Sequence, residues 1–251
     1  MTTRTKNLLL ALVFSFILMV VVVAGFNIVP AGSTLQRVFQ MLGGSLPGGL
    51  IQFFTFIAFF WGIFEIRSRM HRLQFEEQGL KMGLLPEKEQ WVLSPNDVND
   101  LKLKMIEKEQ ERKLLITDVI KKASTKFRAN RSISDVMGIV SAQIKINMSK
   151  AESSQSIIRY LAWAMPSIGF IGTIMGIAQA LGVADKVSGD PEALGEVTAY
   201  MYVAFDTTLI ALFLSIIMMW YFHNLQEREE DLHSDMEEYV MENLVNRIHL
   251  E

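Results

Sequence analysis

Pro166-Ser167-Ile168-Gly169-Phe170-Ile171-Gly172-Thr173-Ile174-Met175-Gly176 and Ala204-Phe205-Asp206-Thr207-Thr208-Leu209-Ile210-Ala211-Leu212 are the two stretches whose reading decides the fold. Each sits inside an apolar block of membrane length, and each puts polar groups near the middle of its block. A carboxylate and hydroxyls at that depth in lipid are costly, so they usually mark a place where ions or protons are handled.

Working outward, the apolar residues fall into four blocks: Asn7 to Val29, Gly49 to Ile66, Ser156 to Leu181 and Val197 to Phe222. Each is close to the roughly 20 residues a helix needs to cross a ~30 Å hydrocarbon core. Blocks of this length without alternation do not make a membrane barrel. Arg4 and Lys6 precede the first block. Its apolar run of about 21 residues exceeds the 7–15 of a secretory signal, so it reads as a retained helix. Half the residues are hydrophobic and a fifth charged, as separate membrane and aqueous parts require. The chain has no cysteine, which excludes disulfides, thiolate chemistry and cysteine metal sites. A net charge of -3 gives no reason to expect nucleic acid.

Local charge sets the expected orientation. Arg4 and Lys6 flank the first helix, Arg67, Arg69, Arg72 and Lys81 follow the second, and Arg228 follows the fourth. The opposite connections carry only Arg37 in one, and Lys186 among Asp185, Asp190, Glu192 and Glu196 in the other. By the positive-inside rule both termini and the long central segment are cytoplasmic.

The second helix has no breaker until Gly79, Gly83 and Pro86, which predict a loop. Ser94 followed by Pro95 predicts the next helix start. A stripe of Leu101, Met105, Ile106, Leu114, Leu115, Val119 and Ile120 predicts one helix running to about Phe127. Ser132 or Ser134 caps another, in which Val136, Val140, Ile144 and Met148 step by four, and no proline or glycine pair interrupts the chain between Ser141 and Ala164. The cytoplasmic insert is thus expected to be a helical hairpin on stalks that extend the membrane helices. After Phe222, Leu225, Leu232, Met236, Tyr239, Val240 and Leu244 continue the fourth helix with a packing stripe, against this chain's own hairpin or another subunit. The expected architecture is all-α and polytopic. Residues 1–66 form two transmembrane helices, 67–155 the cytoplasmic hairpin, 156–222 transmembrane helices three and four, and 223–251 a C-terminal cytoplasmic helix.

In the third span Ala162, Pro166, Gly169, Thr173, Gly176 and Ala180 recur at steps of 4, 3, 4, 3 and 4. That is one helical face, small throughout, of the kind that lets membrane helices approach closely. Pro166 removes a backbone hydrogen bond, and the freed carbonyl needs another donor. In the fourth span Ala204, Thr208, Ala211 and Ser215 repeat the pattern at steps of 4, 3 and 4. Asp206 lies about 200° around the helix from Thr208, with Tyr202 one turn away as its expected hydrogen-bond partner. Taking the outer helix ends at Gly182 and Val197, Thr173, Asp206 and Thr208 lie roughly 13–17 Å deep, at one level. Packing alone accounts for small stripes and for threonines bonded to their own backbone. A mid-membrane carboxylate asks for more.

At these residues the chain resembles the MotA/TolQ/ExbB family of bacterial proton-channel and stator subunits. The family's Pro followed by Gly-Leu-Leu-Gly-Thr-Val-x-Gly-Ile is close to Pro166 and Gly169-Phe170-Ile171-Gly172-Thr173-Ile174-Met175-Gly176-Ile177. Its Ala-Leu-x-x-Thr-x-x-Gly-Leu is similar to Ala204 through Leu212, with Phe205 and Ala211 as departures. The resemblance covers roughly Ala162 to Asn224. It implies a homopentameric ring in the bacterial inner membrane around two copies of a single-span partner, which brings an essential aspartate and a periplasmic domain. It also implies that Thr173 and Thr208 are pore positions, with Thr207 beside them. Asp206 is outside the common pattern, and two roles stay open for it: a pair within or between subunits, or a second protonation site. Four spans with an insert look like MotA, the pore motif like ExbB and TolQ, and the whole is similar to ring subunits of an anti-phage defence system.

The expected function is therefore an ion-driven motor subunit, moving protons or alternatively sodium ions, with no cofactor, no metal and no enzymatic activity. The competing expectation is a non-conducting membrane scaffold. A membrane-embedded enzyme is disfavoured: none of His71, His223, His233 and His249 falls at mid-depth.

Overall fold

The computed structural model describes residues 2–88, 91–187 and 192–249; Asp190, counted above among the loop charges, lies outside them. Among the described residues the protein is all helix, with a lone backbone bridge from Leu93 to Ile248 and no strand. Four helices are long and apolar enough to cross a membrane, as the four blocks require.

The chain forms two compact units, Met1–Arg67 with Ser156–His223, and Ser68–Gln155 with Asn224–Glu251. In the first unit, α1 (Thr3–Ile28) opens on Thr2, whose hydroxyl accepts the Thr5 N–H. The helix is apolar all round, so lipid-type surroundings rather than an amphipathic stripe explain it. Only Asn7, Ala11, Ser15 and Val22 are buried, a narrow seam at helical spacing. That seam meets α3 (Gly48–Leu80): Asn7 donates to the buried Glu65 carboxylate at 3.2 Å, and Phe14 packs edge-on against Phe64. The unit is completed by α7 (Ser156–Ala184) and the first half of α8 (Glu192–Asn243).

The connection between the first two spans is more than a loop. Ser33 caps a short α2 (Thr34–Phe39), which runs into a π turn at Gln40–Gly44. This segment folds back onto the end of α1. A side chain at Gly25 would strike the Phe39 ring at 2.5 Å, and one at Gly44 would strike Phe26. Gly43 closes the turn at φ 103°, in the left-handed region that favours glycine.

The second unit departs from a single hairpin. The expected helix from Ser94 to Phe127 is broken into α4 (Pro95–Glu111) and α5 (Leu115–Asn130). Neither proline nor glycine marks the break. Leu114 brings no side-chain cap, and the N-terminus of α5 is instead held by Glu76 of α3, whose carboxylate accepts the Leu115 N–H at 2.8 Å. Burial raises the Glu76 pKa, against the lowering effects of that hydrogen bond, Arg72 and His233. Helix α3 also runs through Gly79, where the missing side chain admits Leu114. Ser94 caps α4 in a capping box with Asp97, whose pKa its hydrogen bonds to Ser94 lower. Ser132 caps α6 (Ile133–Ser154), which continues through a helical Gln155 toward α7. Leu225, Leu232, Met236 and Val240 of α8, and Leu244 just after it, are buried within this same chain. Arg228 there grips Glu77 with two bonds of 2.8 Å.

Candidate functional site

The two small faces meet. A side chain built at Gly169 would fall 2.6 Å from Ala211, and one at Gly176 would fall 2.7 Å from both Ala204 N and Tyr200 O. Gly172 receives Thr207. Close backbone approach of this kind is what small residues provide where lipid supplies no hydrophobic drive. Ser215 donates to the Ala162 carbonyl at 3.1 Å. That carbonyl lacks its usual donor because residue 166, four further on, is Pro166. The sequence pointed to a freed carbonyl, and the structure satisfies it from the neighbouring helix.

Near the middle of this seam Thr173 and Thr208 hydrogen-bond to each other, hydroxyl to hydroxyl. Each also reaches across to the other helix. Thr173 Oγ1 lies 3.0 Å from Ala204 O, and Thr208 Oγ1 lies 2.9 Å from Gly169 O. The acceptors are the carbonyls four residues before the partner threonine, so the arrangement is reciprocal. A hydroxyl has one proton and two lone pairs. Two protons serve these three contacts, so when one is shared between the hydroxyls the other goes to a backbone carbonyl, and both oxygens keep a free lone pair. Both residues are only half-buried, at the border of the helix contact. Just beyond Thr173 lie exposed Phe170 and Ile177, and just beyond Thr208 lie exposed Phe205 and Leu212.

Thr207 is elsewhere. It is 1% exposed and donates to Val203 O at 2.9 Å, between the helices and against Gly172. It packs and closes the seam, away from the half-buried border where Thr173 and Thr208 lie.

Asp206 is on the other side of α8, as the ~200° offset predicts. Its expected partner Tyr202 is corrected. Both carboxylate oxygens are taken by Arg37 of α2, at 2.6 and 2.7 Å. Tyr202 meets the pair through its ring, 4.1 Å below the guanidinium. A bidentate guanidinium neutralises a carboxylate where a phenol only donates one hydrogen bond, so the ion pair prevails. Gln52 completes this side, donating to Met41 O at 2.9 Å and Asp206 O at 3.2 Å. Arg37 and Gln52 were missed in the sequence. The available signal was Arg37 itself, the lone charge between Val29 and Pro47.

Depth changes too. Helix α8 begins at Glu192, not Val197, so the outer end is a poor ruler. Exposed Tyr160 and Trp163 on α7, and Trp220 and Tyr221 on α8, mark one membrane boundary. Counted from Trp163 and Trp220, Thr173 is ~15 Å deep, Thr208 ~18 Å and Asp206 ~21 Å. The hydroxyl pair is central, and the ion pair lies beyond it.

The structure therefore brings Thr173, Thr208, Thr207, Gly169, Gly172, Gly176, Ala204, Ala211 and Ser215 into one seam and leaves Asp206 outside it. No cluster of metal-ligating side chains occurs among the described residues. Compared with known proteins, the sequence matches no curated protein and no solved structure. It does match the sequence model of the MotA/TolQ/ExbB proton channel family over residues 108–238, just over half the chain and inclusive of the whole seam. The chain belongs to the MotA/TolQ/ExbB proton channel family.

Proposed function

We propose that this protein is the ring subunit of an ion-driven membrane motor, in which proton flow past the Thr173–Thr208 pair drives rotation of the ring against a single-span partner. The reciprocal hydroxyl pair carries the reading. At mid-depth, two oxygens with free lone pairs accept from a hydronium ion or from a protonated partner carboxyl, and release it again without a net charge of their own. Sodium is the alternative ion. A homopentamer around two partner chains, each with a membrane aspartate and a periplasmic domain, follows from the family resemblance. Exposed apolar faces on both sides of the pair give such a ring surfaces to close on. The excess of Lys and Arg on one side supports cytoplasmic termini in a bacterial inner membrane. The chemistry needs no cofactor and makes no covalent bond, so no enzymatic activity is assigned.

The test is to replace both threonines with alanine and measure ion-driven output with the partner co-expressed. Loss of output with normal ring assembly supports the proposal, and unchanged output refutes it. One observation favours the scaffold reading instead: the Asp206 charge is already neutralised within the chain. A scaffold assembles and functions in a de-energised membrane, which separates the two.

A further inference from the structure

A cavity of about 280 Å³ in the second unit is lined by Arg69, Arg72 and Lys150, with Asn147 and His233 among its walls. Both latter side chains are more than nine-tenths buried, and each keeps a polar atom without a partner. Asn147 accepts from Gln143 through Oδ1 at 2.9 Å, which leaves its amide NH₂ unused. His233 Nδ1 contacts the Glu229 carbonyl at 2.5 Å. A carbonyl only accepts, so Nδ1 holds the proton and Nε2 is a bare acceptor. Glu76 and Glu229 also line the space. The Glu229 carboxylate is engaged by Gln155 at 2.5 Å, and Glu76 by the Leu115 N–H. Neither Arg72 nor Lys150 is in an ion pair among the described residues.

The donors and the bare Nε2 together specify a ligand. Arg72 and Lys150, with an amide NH₂ and the charge of Arg69, whose guanidinium also donates to Ser154, call for an oxyanion. A bare Nε2 calls for one that still carries a proton on oxygen. Sulfate and carboxylate offer no such proton, and a phosphodiester has lost it. We propose that this cavity binds a phosphomonoester group, of a soluble metabolite or of a lipid headgroup such as phosphatidic acid. Arg69 follows the second apolar block by only three residues in sequence, which makes the lipid a physical candidate. The unpartnered atoms are sealed from solvent, so the ligand engages them through side-chain rotamer adjustment. The raised pKa of Glu76 eases an anion's entry, because the carboxyl more readily becomes neutral.

The experiment uses the full-length protein. Glycerol 3-phosphate and sulfate are titrated by calorimetry, and phosphatidic acid and phosphatidylcholine nanodiscs are compared by native mass spectrometry. Glycerol 3-phosphate binding, or selective retention of phosphatidic acid, is expected. Either should weaken by about tenfold or more in R72Q and K150Q, both at exposed positions and harmless to the fold. The arm that responds identifies the source as soluble or lipid. Sulfate is expected to bind at least about tenfold more weakly than glycerol 3-phosphate. Absence of binding in both arms, binding unchanged in R72Q and K150Q, or sulfate equal to glycerol 3-phosphate would each overturn the proposal.

Discussion

Asp206 and Arg37 form a bidentate ion pair, 2.6 and 2.7 Å, across 169 positions of sequence. The pair fastens the folded-back segment of residues 34–44 to α8. Removing one partner leaves a charge stranded near lipid, at a cost of about 3–5 kcal/mol for a buried pair. The lower end applies here, because the Arg37 side chain is 37% exposed. Arg37→Ala and Asp206→Ala should each lower the midpoint of detergent unfolding. The double variant should be less damaged than the sum, and the exchange Arg37→Asp with Asp206→Arg should recover part of the loss. Additive losses would remove the pair from the account of this segment.

The threonine pair makes a different forecast. Interhelical hydrogen bonds in membranes contribute only about 0.6 kcal/mol on average. Thr173→Ala and Thr208→Ala should therefore leave stability and assembly nearly intact while ion-driven output falls. Thr173→Ser and Thr208→Ser retain the hydroxyl and should retain most of the output. A serine variant as inactive as alanine would show that shape, not the oxygen, matters.

Much of this was legible beforehand because helices in lipid leave a strong pattern. The 4-3 spacing of Gly169, Thr173 and Gly176 against that of Ala204, Thr208 and Ala211 fixed which faces meet. What escaped was set by long-range contacts. The break before Leu115 depends on the carboxylate of Glu76, 39 residues away. Asp206 was assigned to Tyr202 because a one-turn neighbour is visible in sequence, whereas Arg37 reaches it only after α2 folds back. The burial of Thr207 was not legible for a narrower reason. One residue from Thr208 is ~100° of rotation, enough to turn a hydroxyl from the rim into the contact.

Glycine at the seam should be intolerant in a position-dependent way. At Gly176 a methyl would meet backbone atoms at 2.7 Å, and backbone cannot step aside. Gly176→Ala should cost about 1–3 kcal/mol by overpacking. Gly182 lies in the same helix with nothing within 4 Å, so Gly182→Ala should be neutral or slightly stabilising. Equal effects in an unfolding assay would contradict the close approach of α7 and α8.

Glu76 gives a pH dependence of known sign. Its folded pKa is raised, so the folded state binds the proton more tightly than the unfolded chain. Its contribution to stability is then greatest below the ordinary carboxylate range and is lost as pH rises through the folded pKa. Glu76→Gln keeps an oxygen for the Leu115 N–H and removes the charge. It should be at least as stable as the parent at neutral pH and lose this share of the pH dependence. Glu76→Ala also removes the cap, costing about 1 kcal/mol at any pH. A glutamine variant clearly weaker than the parent at neutral pH would mean the charge is needed.

The Ser215–Ala162 hydrogen bond can be isolated through Pro166. The Ala162 carbonyl accepts from Ser215 at 3.1 Å because Pro166 has no N–H to offer it. In the parent, Ser215→Ala strands that carbonyl in the membrane interior and should cost about 0.6–1.7 kcal/mol. In Pro166→Ala, the new backbone N–H can close the ordinary i→i−4 bond to Ala162, so the same serine substitution should cost less. The cycle of four proteins thus reads a positive coupling between a side chain on α8 and a ring on α7 that compensate for one another. If Ser215→Ala costs the same with and without the proline, the serine is there for its size, and the freed carbonyl must be met by another donor.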